Sequence, residues 1–152
     1  MSRINKYAGK SGLMDIHIQL GTEVFRFNLF EELAISEARI NTEILEQASS
    51  YAFLGMLHKK LVRAAKDQEL EVVKQYNLGY IRFKKEMNEE TGKPINDDLA
   101  KAKSATTKEY IEACNRAGEI QEKANLIKVC VDAFEQRKDL IQTISANLRK
   151  EH

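Results

Sequence analysis

A row of apolar residues that recurs at alternating steps of three and four dominates the C-terminal third of the chain. It runs from Tyr110 to Leu148 and comprises Tyr110, Ala113, Ala117, Ile120, Ala124, Ile127, Val131, Phe134, Ile141 and Leu148. Lys138 and Ser145 occupy the two register positions that break the row. A row kept in phase over this length is typical of a helix that packs along its length. At about 1.5 Å per residue, that helix would be about 57 Å long.

After Leu126 the apolar stripe widens, because a second row lies beside the first. Its members are Leu126, Cys130, Ala133, Leu140 and Ile144. A single partner helix covers only a narrow seam, so this face predicts two or more neighbouring helices. We therefore expect a homo-oligomer larger than a dimer, in which Lys138 and Ser145 bias register or subunit number. The candidate interface residues are Leu126, Ile127, Cys130, Val131, Phe134, Leu140, Ile141, Ile144 and Leu148.

Composition indicates one helical domain in a reducing compartment. The 152 residues include one proline and no tryptophan, and the net charge is +1. The net charge therefore does not point to any particular class of partner, and any electrostatic binding site must arise from local clustering of charged residues. Cys114 and Cys130 would lie about 24 Å apart along one helix, beyond disulfide reach. Since we find no signal peptide and no long apolar run, we expect a cytoplasmic protein without a membrane partner.

The N-terminal part divides into an arm and a hairpin. Residues 1–12 contain three basic residues and no acid, which predicts a flexible basic arm, either a solvated tail or a nucleic-acid contact. Residues 13–28 alternate apolar and polar side chains on both sides of Gly21-Thr22, which predicts a β-hairpin with a type II′ turn. Its apolar face would pair Ile16 with Phe27 and Ile18 with Phe25. Because two strands alone are marginal, the hairpin must lie on helices or pair with a neighbour's sheet.

Residues 29–152 carry the signals of a helical domain. Asn28 and Glu31 form a plausible capping pair before a first helix at Leu29. An apolar row then predicts a long helix from Glu37 to Met87, or two helices in line. Its members are Ile40, Ile44, Ala48, Tyr51, Leu54, Leu61, Ala65, Val72, Tyr76, Tyr80, Phe83 and Met87. Gly55 and Gly79 would be its weak points, at about 1 kcal/mol each against alanine.

A turn separates this helix from the C-terminal one. Thr91-Gly92-Lys93-Pro94 ends the first helix, and Asn96 can cap the next. That next helix is expected to begin near Leu99 and to continue into the row that starts at Tyr110. The predicted fold class is therefore mainly α, with two long antiparallel helices in a coiled-coil-like bundle and a small N-terminal β-hairpin.

The residues that could carry catalysis are few. The three histidines lie far apart in the sequence, and none has a glutamate or a second histidine at helical spacing. His58, inside an apolar row, is expected to be a packed histidine, and Cys130 a buried and inert thiol. We therefore expect no enzyme, no metal site and no cofactor.

Local charge gives the stronger functional signal. Residues 47–66 and 72–85 contain no acid, and the second block interleaves basic residues with aromatic ones. Basic side chains along a helix can follow phosphates, and nearby rings can stack on unpaired bases. Alternatively, the aromatic residues belong to the core and the basic residues form a solvated face. The candidate DNA-binding residues are Lys59, Lys60, Arg63, Lys74, Tyr80, Arg82, Lys84 and Lys85.

The order of these features resembles the recombination mediators of T4-like phages, the UvsY proteins. The resemblance covers roughly residues 29–150 and includes Glu31-Glu32-Leu33, the basic and aromatic helix end 80–87, the turn at Gly92, and the apolar run 126–134. It implies a helical, oligomeric protein that binds single-stranded DNA and helps to load a recombinase onto strands coated by a single-strand-binding protein, in the host cytoplasm. The family's aromatic pair follows its basic residues, whereas here the aromatic residues precede them. The arm and hairpin are additional to the family pattern.

Two other classes of function stay open. A coiled-coil assembly or morphogenesis protein would share the heptads but would have no salt-sensitive affinity for DNA. A protein-binding inhibitor would use the hairpin edge or a helix face to hold its partner.

Overall fold

The computed structural model describes residues 12–150, so almost all of the predicted basic arm lies outside the described residues. Over these described residues, two strands are followed by four α-helices and one short 3₁₀ helix, Glu37–Arg39. The elements are β1 (Asp15–Leu20), β2 (Glu23–Asn28), α1 (Leu29–Leu33), α2 (Ile40–Lys84), α3 (Asp97–Ala105) and α4 (Lys108–Lys150). The predicted class, mainly helical with an N-terminal hairpin and two long antiparallel helices packed together, is confirmed.

The chain forms two compact units, each containing part of α2 and part of α4. The hairpin unit comprises residues 12–59 and 125–150, and the turn unit comprises Lys60–Ala124. In the hairpin unit, α2 meets α4 where the side-chain amide of Gln47 donates to the carbonyl oxygen of Phe134. In the turn unit, the rings of Tyr76 and Tyr110 lie 5.7 Å apart.

The hairpin forms in the predicted register. Ile16 pairs with Phe27 and Ile18 with Phe25. Gly21 has a φ of +61° whereas Thr22 does not have a positive φ, as a type II′ turn requires. Ile16 and Ile18 are buried, and the ring of Phe25 lies 5.7 Å from the ring of Phe53 on α2. The hairpin therefore packs on helices of its own chain, one of the two predicted arrangements.

Both predicted caps are present, but one predicted helix is broken. The side chains of Asn28 and Asn96 accept hydrogen bonds from the backbone N–H groups of Glu31 and Leu99. The expectation of one helix from near Leu99 into the C-terminal row is wrong, because α3 ends at Ala105 and α4 starts at Lys108.

Two threonine hydroxyls cause this break. Thr106 and Thr107 donate to the backbone oxygens of Lys103 and Ser104, and the hydroxyl of Thr107 also accepts from the N–H of Tyr110. Threonine side chains that bond nearby backbone groups compete with the helical ladder and favour caps.

The predicted long helix is one continuous helix, although its core face differs from the prediction near its start. In the hairpin unit Ile44, Ala48 and Tyr51 are exposed, whereas Glu43 and Gln47 are buried. From Leu54 to Phe83 the predicted row does face the core, whereas Met87 lies beyond the end of α2 and is exposed. The first turns are rotated because Glu43 and Gln47 bind a buried cation on α4, described below.

Candidate nucleic-acid interface

A tight loop between α2 and α3 forms the frame of the predicted DNA site. Met87 and Pro94 form an isolated antiparallel bridge, and the N–H of Asn88 donates to the carbonyl of Lys93 over 2.7 Å. Gly92 has a φ of +63°, which fits its predicted place in the turn. Ile95 is buried behind the loop. The loop therefore holds the start of α3 against the end of α2.

Lys84 and Tyr80, two of the predicted contact residues, are bound inside this frame. The ammonium of Lys84 lies 2.6 Å from a carboxylate oxygen of Asp97 and also donates to the carbonyl of Ile95. The hydroxyl of Tyr80 donates to the same carboxylate over 3.2 Å. The hydrogen bond with Lys84 lowers the pKa of Asp97, and the same bond raises the pKa of Lys84. Neither side chain is therefore free to bind DNA unless Asp97 releases it.

The interleaved aromatic residues pack within the turn unit. Phe83 is half-buried, with the guanidinium of Arg82 4.7 Å and the ammonium of Lys103 5.3 Å from its ring centroid. Lys103 in turn pairs with Glu86 over 3.0 Å. Tyr76, against the ring of Tyr110, is also half-buried. Packing explains why aromatic residues alternate with basic ones here, and no aromatic of this block offers an open platform for bases.

Arg82 and Lys85 differ from the other predicted contacts at this end of α2. Both are exposed, and neither has an acidic oxygen within 4.0 Å among residues 12–150. Leu78 and Ile81, which are 53% and 52% exposed, lie on the same helix face at steps of three and four. The result is a small surface with two unpaired cations beside aliphatic side chains.

The remaining predicted DNA contacts are scattered along α2. Lys74 pairs with Glu71 over 3.3 Å, and Arg63 pairs with Asp67 over 3.2 Å. Lys59 and Lys60 are exposed near the middle of the helix. The eight predicted residues therefore do not form one cluster.

The turn unit is almost neutral, with thirteen lysines and arginines against twelve aspartates and glutamates. Any attraction for a polyanion must therefore come from a local feature such as Arg82 and Lys85.

The predicted oligomerisation residues divide by exposure. Ile127, Cys130, Phe134 and Ile141 are buried within the chain, where they form its core. Burial raises the pKa of the Cys130 thiol to about 11, as expected of an inert thiol. Val131, Ile144 and Leu148 are half-buried, and Leu126 and Leu140 are exposed.

Leu126 and Leu140, together with the exposed Val129, form what we call the outer stripe of α4. Leu126 is 39% exposed, Val129 is 59% exposed and Leu140 is 58% exposed. Their spacing of three and eleven residues keeps them on one side of the helix. Only the outer stripe and the half-buried residues beside it are available to another chain, and the oligomer itself stays a prediction.

Sequence reasoning missed the most connected residue of the hairpin unit, Arg137. Its guanidinium is buried and donates to a carboxylate oxygen of Glu43 over 2.5 Å and to the side-chain oxygen of Gln47 over 2.7 Å. It also donates to the carbonyls of Leu33 and Ala34 at the end of α1. We call these residues the Arg137 cluster. A guanidinium with this many partners fixes α1, α2 and α4 in one register.

Comparison with known proteins adds no family or fold, since no protein-family model, no curated protein and no solved structure matches the chain. Within residues 12–150, no group of three or more histidine, cysteine, aspartate or glutamate side chains is placed to hold a metal ion. No helix of that same region is both long and apolar enough to span a membrane.

Proposed function

We propose that this chain is a non-enzymatic, self-associating protein that binds single-stranded DNA and helps to load a recombinase onto it in the cytoplasm of a phage-infected cell. The proposal combines the resemblance to phage recombination mediators with one observation, the unpaired cations Arg82 and Lys85. Both lie at or just past the end of α2, before the turn at Gly92 in the sequence, where the resembling family binds DNA. The neighbouring Leu78 and Ile81 can contact the faces of bases while the cations contact phosphates.

Self-association is what would make such a modest site effective. At this end of α2, two exposed cations without an acidic partner among residues 12–150 give weak affinity for a polyanion, because the turn unit is otherwise nearly neutral. When several copies bind one strand, each further contact becomes intramolecular, and the overall affinity rises by orders of magnitude. The outer stripe of α4 supports this step because large apolar side chains stay exposed along one side of a long helix.

The test is an Arg82→Ala/Lys85→Ala variant titrated with labelled oligo-dT at several salt concentrations. The affinity falls as salt rises, and each phosphate contact that is lost should make the slope of log affinity against log salt less steep by about 0.7. The slope of the double variant should therefore be less steep by about 1.4 per site. The matched control is Lys59→Ala/Lys66→Ala, which removes the same charge from exposed positions of α2 that have no acidic partner within residues 12–150. Light scattering checks that the oligomer mass is unchanged in both variants. Equal and small effects from the two variants would contradict the proposed site.

Removal of Asp97 should strengthen DNA binding. In an Asp97→Asn variant, Lys84 loses its charged partner and becomes available to phosphate, so we expect a slope steeper by about 0.7. An Asp98→Asn variant removes the same negative charge from the neighbouring residue of α3 without releasing Lys84. If Asp98→Asn steepens the slope as much as Asp97→Asn, the gain reflects net charge alone and Lys84 lies outside the site.

A second candidate function is a coiled-coil assembly or morphogenesis protein, and the exposed outer stripe favours it. Such a protein would keep its oligomer mass and show no salt-dependent affinity for oligo-dT. The titration of the unmodified chain therefore separates the two functions before any variant is made.

A further inference from the structure

The hydrogen-bonding phase of the hairpin leaves one edge of β2 open. In a hairpin with a two-residue loop, the closing pair Leu20 and Glu23 exchanges both backbone bonds, and exchange then recurs at every second pair. The bond from the N–H of Leu29 to the carbonyl of Met14, 2.8 Å long, lies at the position that this phase requires. Val24 therefore falls between exchanging pairs, so its backbone groups point away from β1.

Arg26 lies two residues beyond Val24 in β2, so its backbone N–H and C=O groups also point away from β1. No hydrogen bond within residues 12–150 satisfies the outward N–H and C=O groups of these two residues. We call these groups the open edge. Natural proteins usually cover or interrupt such an edge, because it can template pairing with another strand. Neither a proline nor a bulge interrupts β2.

An apolar groove lies directly beside the open edge. It has a volume of about 520 Å³, and its walls come from β2, α1, α2 and α4. Its aromatic side chains are Phe25, Phe27, Phe53 and Phe134, and Phe53 remains 41% exposed. Arg26 and Glu32 also line it, and no ion pair joins them. Open backbone groups beside an apolar groove are the arrangement into which an added strand fits.

We infer that the occupant of this site is β2 of a second copy of the chain. The open edge has two residues with outward backbone groups, Val24 and Arg26, placed symmetrically about Phe25. Asn28, the next residue of the same phase, ends the edge because it is the N-cap of α1 and its carbonyl accepts the first bond of that helix. A two-fold axis through Phe25 therefore pairs Val24 of each copy with Arg26 of the other in antiparallel register. This register satisfies every group of the open edge and joins two hairpins into one four-stranded sheet. Three or more strands with an apolar face are much more stable than two.

Charge favours a second copy over an unrelated strand. The groove carries one cation and one anion, Arg26 and Glu32, so its charge pattern is self-complementary when two copies meet about a two-fold axis. This pairing adds a second interface to the proposed self-association through α4. It does not depend on DNA binding, so a failure of the DNA titration leaves it standing.

A proline substitution distinguishes the open edge of β2 from the opposite edge of the hairpin. Val24→Pro removes an N–H that points outward, so the hairpin keeps its ladder while pairing between copies loses two bonds. Gln19→Pro is the matched control, because Gln19 pairs with Val24 and its N–H points outward from β1. Light scattering without DNA should show the mass of the assembly halved in Val24→Pro and unchanged in Gln19→Pro. An unchanged mass in Val24→Pro, or a monomeric unmodified chain, would overturn the inference.

A disulfide experiment tests the register without disturbing the backbone. Two chains with one added cysteine each are made, Val24→Cys and Arg26→Cys, and are oxidised separately and as a mixture. Paired residues that exchange both bonds have Cα atoms about 5.5 Å apart, within disulfide reach. A covalent dimer should form in the mixture and far less in either chain alone, with the unmodified chain as a control for the native cysteines. Equal yields in all three samples, or no dimer in any, would refute the two-fold register.

Discussion

An Arg137→Ala variant should be less stable than the unmodified chain by about 3–5 kcal/mol. Removing the guanidinium leaves the buried carboxylate of Glu43 without its counter-charge, and Gln47 and the carbonyl of Ala34 lose their donors. A buried charge without a partner is costly because neither water nor another group replaces the lost interaction. Unfolding in urea, followed by circular dichroism, measures the difference.

Two controls separate the loss of charge pairing from the loss of side-chain volume. Arg149→Ala removes the same side chain from an exposed position of α4 and should change stability by less than about 0.5 kcal/mol. Arg137→Met/Glu43→Leu removes both charges while keeping most of the volume, and it should be less destabilised than Arg137→Ala. If the double variant is as unstable as the single one, the Arg137 cluster acts through its shape rather than through its buried charge.

The Arg137 cluster also explains where sequence reasoning failed in the fold. Hydrophobic periodicity assigned Ile44 and Tyr51 to the core, and the structure turns them outward. The pattern could not show that a glutamate and a glutamine would face inward, because the cation that compensates them lies about ninety residues later. In the hairpin, alternation and a turn-competent glycine give the register directly, since both strands are local in sequence.

In the candidate DNA site, too, partners that are distant in the sequence decide which charges are neutralised. Counting acids along the chain selects residues 72–85 as a basic block, but it ignores carboxylates from other elements. Asp97 of α3 neutralises Lys84, while Arg82 and Lys85 have no acidic partner in the part of the chain that the structure describes. The sequence therefore named Arg82 and Lys85, but it could not show that Asp97 binds Lys84 and Tyr80, which were named with them.

A Gly79→Ala variant should lose stability, although alanine is the better helix former by about 1 kcal/mol. A Cβ atom at position 79 would lie 2.6 Å from the hydroxyl oxygen of Ser104 and 3.3 Å from its Cα. Ser104 is fully buried, and its hydroxyl donates to the carbonyl of Tyr76, so it cannot simply move aside. Overpacking of this kind costs about 1–3 kcal/mol. Gly79 is thus a site of close contact between α2 and α3 rather than a weak point of the helix.

The other helical glycines provide the comparison that makes this prediction sharp. A Cβ at Gly55 or Gly118 would meet no atom within 4 Å, so Gly55→Ala and Gly118→Ala should each stabilise the chain by about 0.5–1 kcal/mol. Gly79→Ala/Ser104→Gly should recover much of the loss of the single variant, because it removes the side chain that the new methyl group meets. Thermal unfolding of the four variants measures these differences. If the single variant Gly79→Ala were more stable than the unmodified chain, α3 would not pack this closely on α2 in solution.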